Sequence, residues 1–160
     1  MKDMTTTNVY RTIPSTPIRK MTIKDPGSSI THFIGLIMAA LGTAPLLVRA
    51  GRHDSPIYMI SMAVFMASMI LLYAASTTYH TFDVSPSVNK LLKKVDHMMI
   101  SVLIAGSYTP VCLLVLNDRL GLILLGIVWG LAITGILIKA FWIYCPKWFS
   151  SILYIGMGWT

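Results

Sequence analysis

The sequence predicts an all-α fold, a polytopic bundle of transmembrane helices. The chain of 160 residues is 55% hydrophobic and 12% charged and has no Glu, whereas a soluble domain carries about twice that charged fraction. Its apolar residues fall in runs that approach or exceed the roughly 20 residues a helix needs to span a bilayer. Its basic residues, which give a net charge of +7, lie in the gaps between those runs, as in multi-pass membrane proteins.

The basic excess could also indicate nucleic-acid binding, but that function needs Lys and Arg clustered on a soluble face. Because the basic residues instead separate apolar runs, we expect membrane lipid as a partner and no nucleic acid.

Four complete apolar runs and a partial fifth define the predicted helices. In chain order they cover residues 29–48, 56–80, 96–116, 120–139 and 147–160. Pro45 and Pro110 fall inside the first and third runs, where a membrane helix tolerates a kink or local opening if its neighbours satisfy the freed carbonyls. Small residues on the fourth run favour close helix packing. They are Gly121, Gly126, Gly130 and Gly135.

The distribution of Lys and Arg predicts the orientation. Five lie before Ser29, three in the link from the second to the third run and two in the link from the fourth to the fifth, ten in all against three on the opposite side. The positive-inside rule then places the N-terminus in the cytoplasm of a multi-pass protein of the cell membrane. Residues 1–28 are rich in Thr, Pro and basic residues with little apolar periodicity, which predicts a disordered basic cytoplasmic tail.

Ser76, His80 and Asp96 are the candidate functional residues. Ser76 and His80 share a helix face, because they are four residues apart at the end of the second run. Asp96 opens the third run, so all three converge at the cytoplasmic end. Ionisable groups at membrane depth are costly and persist mainly where they carry function; an ordinary helix end at the headgroup level is the alternative. Imidazole and carboxylate suit a zinc site, but one His and one Asp do not complete it.

The roles of two further histidines stay open. His32 lies one turn inside the first run, at the same leaflet, and can join the cluster. His97 points about 100° away from Asp96 around the helix, so we favour a structural role for it over metal binding. Cys112 lies within the third run and Cys145 in a cytoplasmic link, so we expect no disulfide between them. Neither belongs to a Cys-x-x-Cys pair, which argues against a catalytic thiol.

Three segments resemble, in order, the signature segments of the bacterial hemolysin III family. They are SSITHFIGLIMAALG, STTYHTFD and KLLKKVDHMMISVLIAGSYTPVCLLVL. That family belongs with the progestin and adiponectin receptors and the alkaline ceramidases to a superfamily of seven-helix membrane proteins. The resemblance implies that His80 is a zinc ligand, that Asp96 is the carboxylate near the zinc-bound water and that Ser76 is a polar partner beside the site.

The chain departs from the family pattern at its C-terminal side. The family's two remaining zinc ligands come from a His-x-x-x-His motif on the seventh helix, and this sequence contains no such motif. The fifth run has 14 residues, about 21 Å of helix against a hydrocarbon core of roughly 30 Å. We therefore expect a truncated bundle. Its missing C-terminal helices, the rest of the fifth and two more, would add on the order of 50 to 60 residues beyond Thr160.

The resemblance implies that the intact protein is a zinc-dependent hydrolase of a membrane lipid amide. Zinc would lower the pKa of its water toward neutrality and polarise the amide carbonyl, with Asp96 taking a proton from the water. A membrane-perturbing cytolytic protein and a lipid-sensing receptor or scaffold without turnover are the alternatives. Because the chain supplies one of three ligands, we expect it to hold zinc weakly and to be inactive on its own.

Overall fold

The computed structural model describes residues 23–116, 118–141 and 147–159, which form five α-helices and no strand. The helices are α1 Pro26–Ala50, α2 Pro56–Thr81, α3 Pro86–Pro110, α4 Arg119–Phe141 and α5 Lys147–Trp159, and a π-helical segment, Val111–Leu116, continues α3. The predicted all-α bundle is confirmed. Residues 1–22 of the predicted tail, and Cys145, lie outside the described residues.

Within the described ranges, four helical stretches are long and apolar enough to cross a membrane: α1, α2, Pro86–Leu116 and α4. Large apolar side chains remain exposed on their outer faces; Leu41 is 68% exposed and Val115 is 76% exposed. Such apolar faces are stable against acyl chains and costly against water. The chain is therefore a multi-pass membrane protein.

α1, α2 and α3 begin at prolines; α2 begins where its apolar run does, whereas α1 and α3 begin before theirs. α1, α2 and α3 each have Pro in their first turn, where its missing N–H costs nothing and its fixed φ suits the helix. The Ser85 side chain accepts a hydrogen bond from the Val88 N–H at 3.3 Å and caps α3. Asp96 therefore lies ten residues inside α3 rather than at its start. Hydropathy identifies the lipid-facing part of a helix, whereas capping residues and prolines identify the residue at which the helix begins.

Consecutive helices pack as antiparallel neighbours, and α5 packs against both α3 and α4. The starts of α1, α3 and α5 and the ends of α2 and α4 consequently share one end of the bundle. We call it the lysine end, because it carries Lys24, Lys90, Lys93, Lys94 and Lys139. The opposite end carries Arg49, Arg52 and Arg119.

Small residues let the helices approach closely at specific points. A Cβ on Gly106 of α3 would lie 2.6 Å from the Cβ of Ser68 on α2, and a Cβ on Gly121 of α4 would overlap the backbone carbonyl of Cys112. By contrast, a Cβ on Gly126 or Gly130 would meet open space. The predicted packing role of the α4 glycines therefore applies to Gly121 but not to these two.

The second half of α3 is anchored to α4 and α5. Fully buried side chains form the core there: Ala105, Val128, Ala132 and Met157. At its edge the Trp129 indole N–H donates to Thr109 Oγ1 at 3.1 Å, and the Tyr108 hydroxyl donates to the Gly158 carbonyl at 3.2 Å. Indole and phenol groups buried beside apolar surface need such partners.

Pro110 marks a change of helix type rather than the end of the span. It is the last residue of α3, and the π-helical segment follows directly. Proline removes a backbone donor and crowds the preceding turn, and local π adjustments are one way in which a membrane helix accommodates it. The turn before Pro110 stays α-helical and the wider turns follow it, and α1 continues through Pro45 as an α-helix.

We predict that Gly106→Ala destabilises the bundle by about 1–3 kcal/mol, because the added methyl group overpacks the contact with Ser68. The measurement is the midpoint of thermal unfolding of the purified protein in detergent. Gly126→Ala is the matched control, since its methyl group enters open space. Equal midpoints for the two variants would show that the α2–α3 approach is not as close as described.

Candidate functional site

Polar side chains from three helices meet at the lysine end. Ser76 Oγ lies 2.6 Å from His32 Nδ1, which joins α2 to α1. His80 Nδ1 lies 3.0 Å from Asp25 Oδ2, and the ring centroids of His32 and His80 are 5.5 Å apart. With Asp96 from α3, these residues form what we call the polar cluster.

Asp96 is only 8% exposed and faces α2. Its carboxylate lies near the Ser76 hydroxyl and near the rings of His97 and His80. The His97 contact is long, 3.4 Å between Nδ1 and Oδ2, so it contributes less than a well-formed hydrogen bond. The structure thus brings the three candidate residues, Ser76, His80 and Asp96, into one place, and their chemical roles remain predictions.

The start of α1 is hydrogen-bonded to the end of α2. The Asp25 N–H donates to the His80 carbonyl at 2.9 Å and the Lys24 N–H to the Thr81 carbonyl at 3.4 Å. The hydroxyl oxygens of Ser29 and Thr81 are 2.6 Å apart. We call this set of contacts the α1–α2 clasp. It places His32, less than two turns further along α1, opposite Ser76.

Asp25 is the cluster residue that sequence reasoning missed, because it falls inside the predicted tail. A signal was available: Asp followed by Pro is a helix-start pattern. The Asp25 side chain makes no capping hydrogen bond to α1 and instead contacts the His80 ring. The pattern locates the helix start, but the pairing with a residue 55 positions away has no local signature.

A second set of contacts joins the turn of α3 that carries Asp96 to α4 and α5. The Tyr154 hydroxyl of α5 donates to the His97 backbone carbonyl at 2.6 Å, and Lys139 Nζ of α4 donates to the Tyr154 hydroxyl. These bonds attach α4 and α5 to the turn of α3 that carries Asp96. His97 therefore lies at a helix contact, with its side chain toward Asp96 and its carbonyl toward α5.

The polar cluster fits one part of a zinc site. His80 has a carboxylate at Nδ1, which leaves Nε2 for a metal; zinc-binding histidines are commonly oriented by such a carboxylate. Asp96 lies beside it as a second group of suitable chemistry. In the part of the chain that the structure describes, however, no three His, Cys or carboxylate side chains are grouped to hold a metal ion. Since catalytic zinc takes three protein ligands, further ligands are needed.

Sequence comparison relates the chain to known membrane proteins. The family described as Haemolysin-III related matches residues 21–160. Hemolysin-3 of Bacillus cereus is 40% identical over 132 residues, which cover 82% of this chain and 60% of that protein. The hemolysin-3 homolog of Bacillus subtilis (strain 168) is 38% identical over 139 residues, which cover 86% and 65%.

A more distant similarity extends to animals. Progestin and adipoQ receptor-like protein 1 of Caenorhabditis elegans is 31% identical over 87 residues, 54% of this chain and 20% of that protein. No solved structure gives a significant match. The chain spans 60% and 65% of the length of the two Bacillus relatives.

We predict that Ser76→Ala destabilises the protein by about 1 kcal/mol, because it leaves the half-buried His32 Nδ1 without its partner. Thermal unfolding in detergent measures the change. Ser61→Ala is the control: Ser61 is also a buried serine of α2, but its hydroxyl bonds only the Tyr58 carbonyl of the same helix. An equal loss in both variants would mean that the contact between α1 and α2 contributes nothing specific.

Proposed function

The chain belongs to the haemolysin-III-related family, and from this premise we propose that it supplies part of the active site of a zinc-dependent hydrolase of a membrane lipid amide. One observation carries the proposal. An imidazole oriented by a carboxylate, His80 with Asp25, lies next to a buried carboxylate, Asp96, at one end of a transmembrane bundle.

Each residue of the cluster has a role in this reaction. His80 would hold the zinc, together with ligands that the described residues do not supply. A zinc ion there would supply the chemistry that amide hydrolysis needs, a lowered pKa of its water and a polarised carbonyl. Asp96 accepts the proton that the attacking water loses. Ser76 holds His32 by a hydrogen bond and keeps the Asp96 carboxylate in place.

The position of the cluster supports a lipid as the substrate. His80 is the second-last residue of α2, and Asp96 lies within a membrane span. Groups at this depth face the boundary between headgroups and hydrocarbon. An amide that joins an acyl chain to a polar headgroup presents its carbonyl at the same boundary, whereas a water-soluble amide does not.

We also infer that the lysine end faces the cytoplasm. This end carries Lys24, Lys139 and the three lysines at the start of α3. The opposite end carries only Arg49, Arg52 and Arg119 among the described basic residues. Short loops rich in Lys and Arg stay on the cytoplasmic side, so the polar cluster lies at the headgroup boundary of the inner leaflet.

Cysteine labelling tests this orientation. In a variant whose two native cysteines are replaced by Ala, we expect His53→Cys to react with a membrane-impermeant maleimide in intact cells. Ser87→Cys, at the lysine end, should react only after the cells are opened. Both positions are exposed, so a difference reports the side of the membrane. The reverse pattern would place the cluster at the outer leaflet.

Zinc titration tests the proposed site. We expect the purified chain to bind zinc weakly, because the described residues offer one oriented imidazole and no three-ligand group. A chimera in which this chain is followed by whatever part of the Bacillus cereus relative lies C-terminal to its matched region should bind one zinc ion tightly. His80→Ala in the chimera should abolish both tight binding and release of fatty acid from an amide-linked lipid in nanodiscs. His53→Ala, outside the cluster, is the control.

Three results would contradict the proposal: a tight, stoichiometric zinc site in the chain alone, a chimera without zinc, or zinc binding that survives His80→Ala. Red-cell lysis is measured in parallel, because the two Bacillus relatives are named hemolysins. Lysis that is unchanged by His80→Ala would reflect insertion into the membrane rather than hydrolysis.

A further inference from the structure

Asp25 makes two hydrogen bonds to His80, one through its backbone N–H and one through its carboxylate. Its N–H donates to the His80 backbone carbonyl at 2.9 Å, and its Oδ2 lies 3.0 Å from Nδ1 of the same residue's ring. The backbone bond fixes where the carboxylate lies, and the side-chain bond fixes how the ring is turned. Asp25 directly precedes α1, and His80 lies in the last turn of α2. The helices alone therefore do not fix the direction of either side chain.

Other contacts of the α1–α2 clasp do not involve the Asp25 carboxylate. Ser29 and Thr81 are joined through their hydroxyls, the Lys24 N–H donates to the Thr81 carbonyl, and Lys24 Nζ lies 3.5 Å from the centroid of the Tyr79 ring. The two helix ends are therefore held together by several independent interactions. Removing the Asp25 carboxylate alone should leave the helices in place.

The carboxylate also decides which ring nitrogen carries the proton. An ionised carboxylate only accepts hydrogen bonds, so a neutral imidazole beside it is stabilised with the proton on Nδ1. The bond made by one ring nitrogen sets the state of the other. Nε2 of His80 is then unprotonated, and its lone pair is available to bind a cation or accept a proton.

We propose that Asp25 is the positioning residue of the polar cluster, which holds His80 as the Nδ1-protonated tautomer with Nε2 free. The identity of the group that Nε2 binds rests on the proposed function. The tautomer does not, because it is a property of the chain without metal.

Nitrogen NMR of the full chain in lipid nanodiscs tests the proposal. The protein is labelled with ¹⁵N-histidine and studied at about pH 8.5, where an ordinary imidazole is neutral. His80→Gln identifies the His80 signals by difference. In the unsubstituted protein the Nδ1-protonated form should predominate. In Asp25→Ala the Nε2-protonated population should rise about two- to fivefold, because the Asp25 side chain is 50% exposed and water competes for the ring N–H.

Ser29→Ala is the matched control. It removes one hydrogen bond of the same clasp but leaves Asp25 and His80 untouched, so the tautomer ratio should not change. Asp25→Asn keeps the shape of the side chain and guards against misfolding; its neutral amide should give a smaller shift in the same direction. The proposal is overturned if Asp25→Ala leaves the ratio unchanged, or if Ser29→Ala moves it as far.

Zinc binding separates this inference from the proposed function. If the extended chimera binds zinc, Asp25→Ala should weaken its affinity about 10- to 100-fold, the usual effect of losing a carboxylate that orients a metal-binding His. A chimera without zinc, with the tautomer shift present, would refute the hydrolase and leave the role of Asp25 intact. Unchanged zinc affinity together with an unmoved tautomer would refute the role of Asp25 and leave the zinc site intact.

Discussion

Ionisable side chains at the edge of a hydrocarbon layer need partners within the protein. This constraint determines how α1, α2 and α3 are arranged. His32 is paired with Ser76, and His80 with Asp25. Each pair joins two different helices. Apolar contacts between helices have little preference for one register over another, because lipid tails are as apolar as leucine side chains. The polar pairs do have such a preference, since a shift of one turn would leave a buried polar group bare. They therefore set how α1 and α2 align.

Away from the lysine end, the close fit of small residues rather than polar pairing determines which helix faces meet. Gly106 accommodates the Ser68 side chain, and Gly121 accommodates a backbone carbonyl. Small side chains bring helices close enough for extensive van der Waals contact, which is the main source of stability between helices in lipid. Packing and polar pairing also meet, because a close approach between Gly35 of α1 and Tyr73 of α2 lies one turn from His32 and Ser76.

The sequence predicted the spans, the fold class and the family, because hydropathy and ordered motifs are carried by contiguous residues. It also drew attention to Ser76, His80 and Asp96, since polar groups at the edges of apolar runs are rare enough to notice. It did not predict that α3 begins at Pro86, because the first turns of this helix carry lysines and lie outside the apolar run. Nor did it predict the pairing of Asp25 with His80, which depends on how two helix ends meet. Nor did it show that Gly126 and Gly130 have no neighbour among the described residues, because spacing along a helix does not show which face has a neighbour.

The π-helical segment Val111–Leu116 has a consequence for how this family can tolerate changes in length. Its hydrogen bonds close five residues apart rather than four, so the segment accommodates an additional residue while the flanking turns keep their faces. Loss of one residue here would restore an ordinary α-helix without rotating Asp96 away from α2. The same loss between Asp96 and Gly106 would turn one of them by about 100°. Insertions and deletions among relatives should therefore be concentrated after Pro110 and be excluded from the preceding stretch.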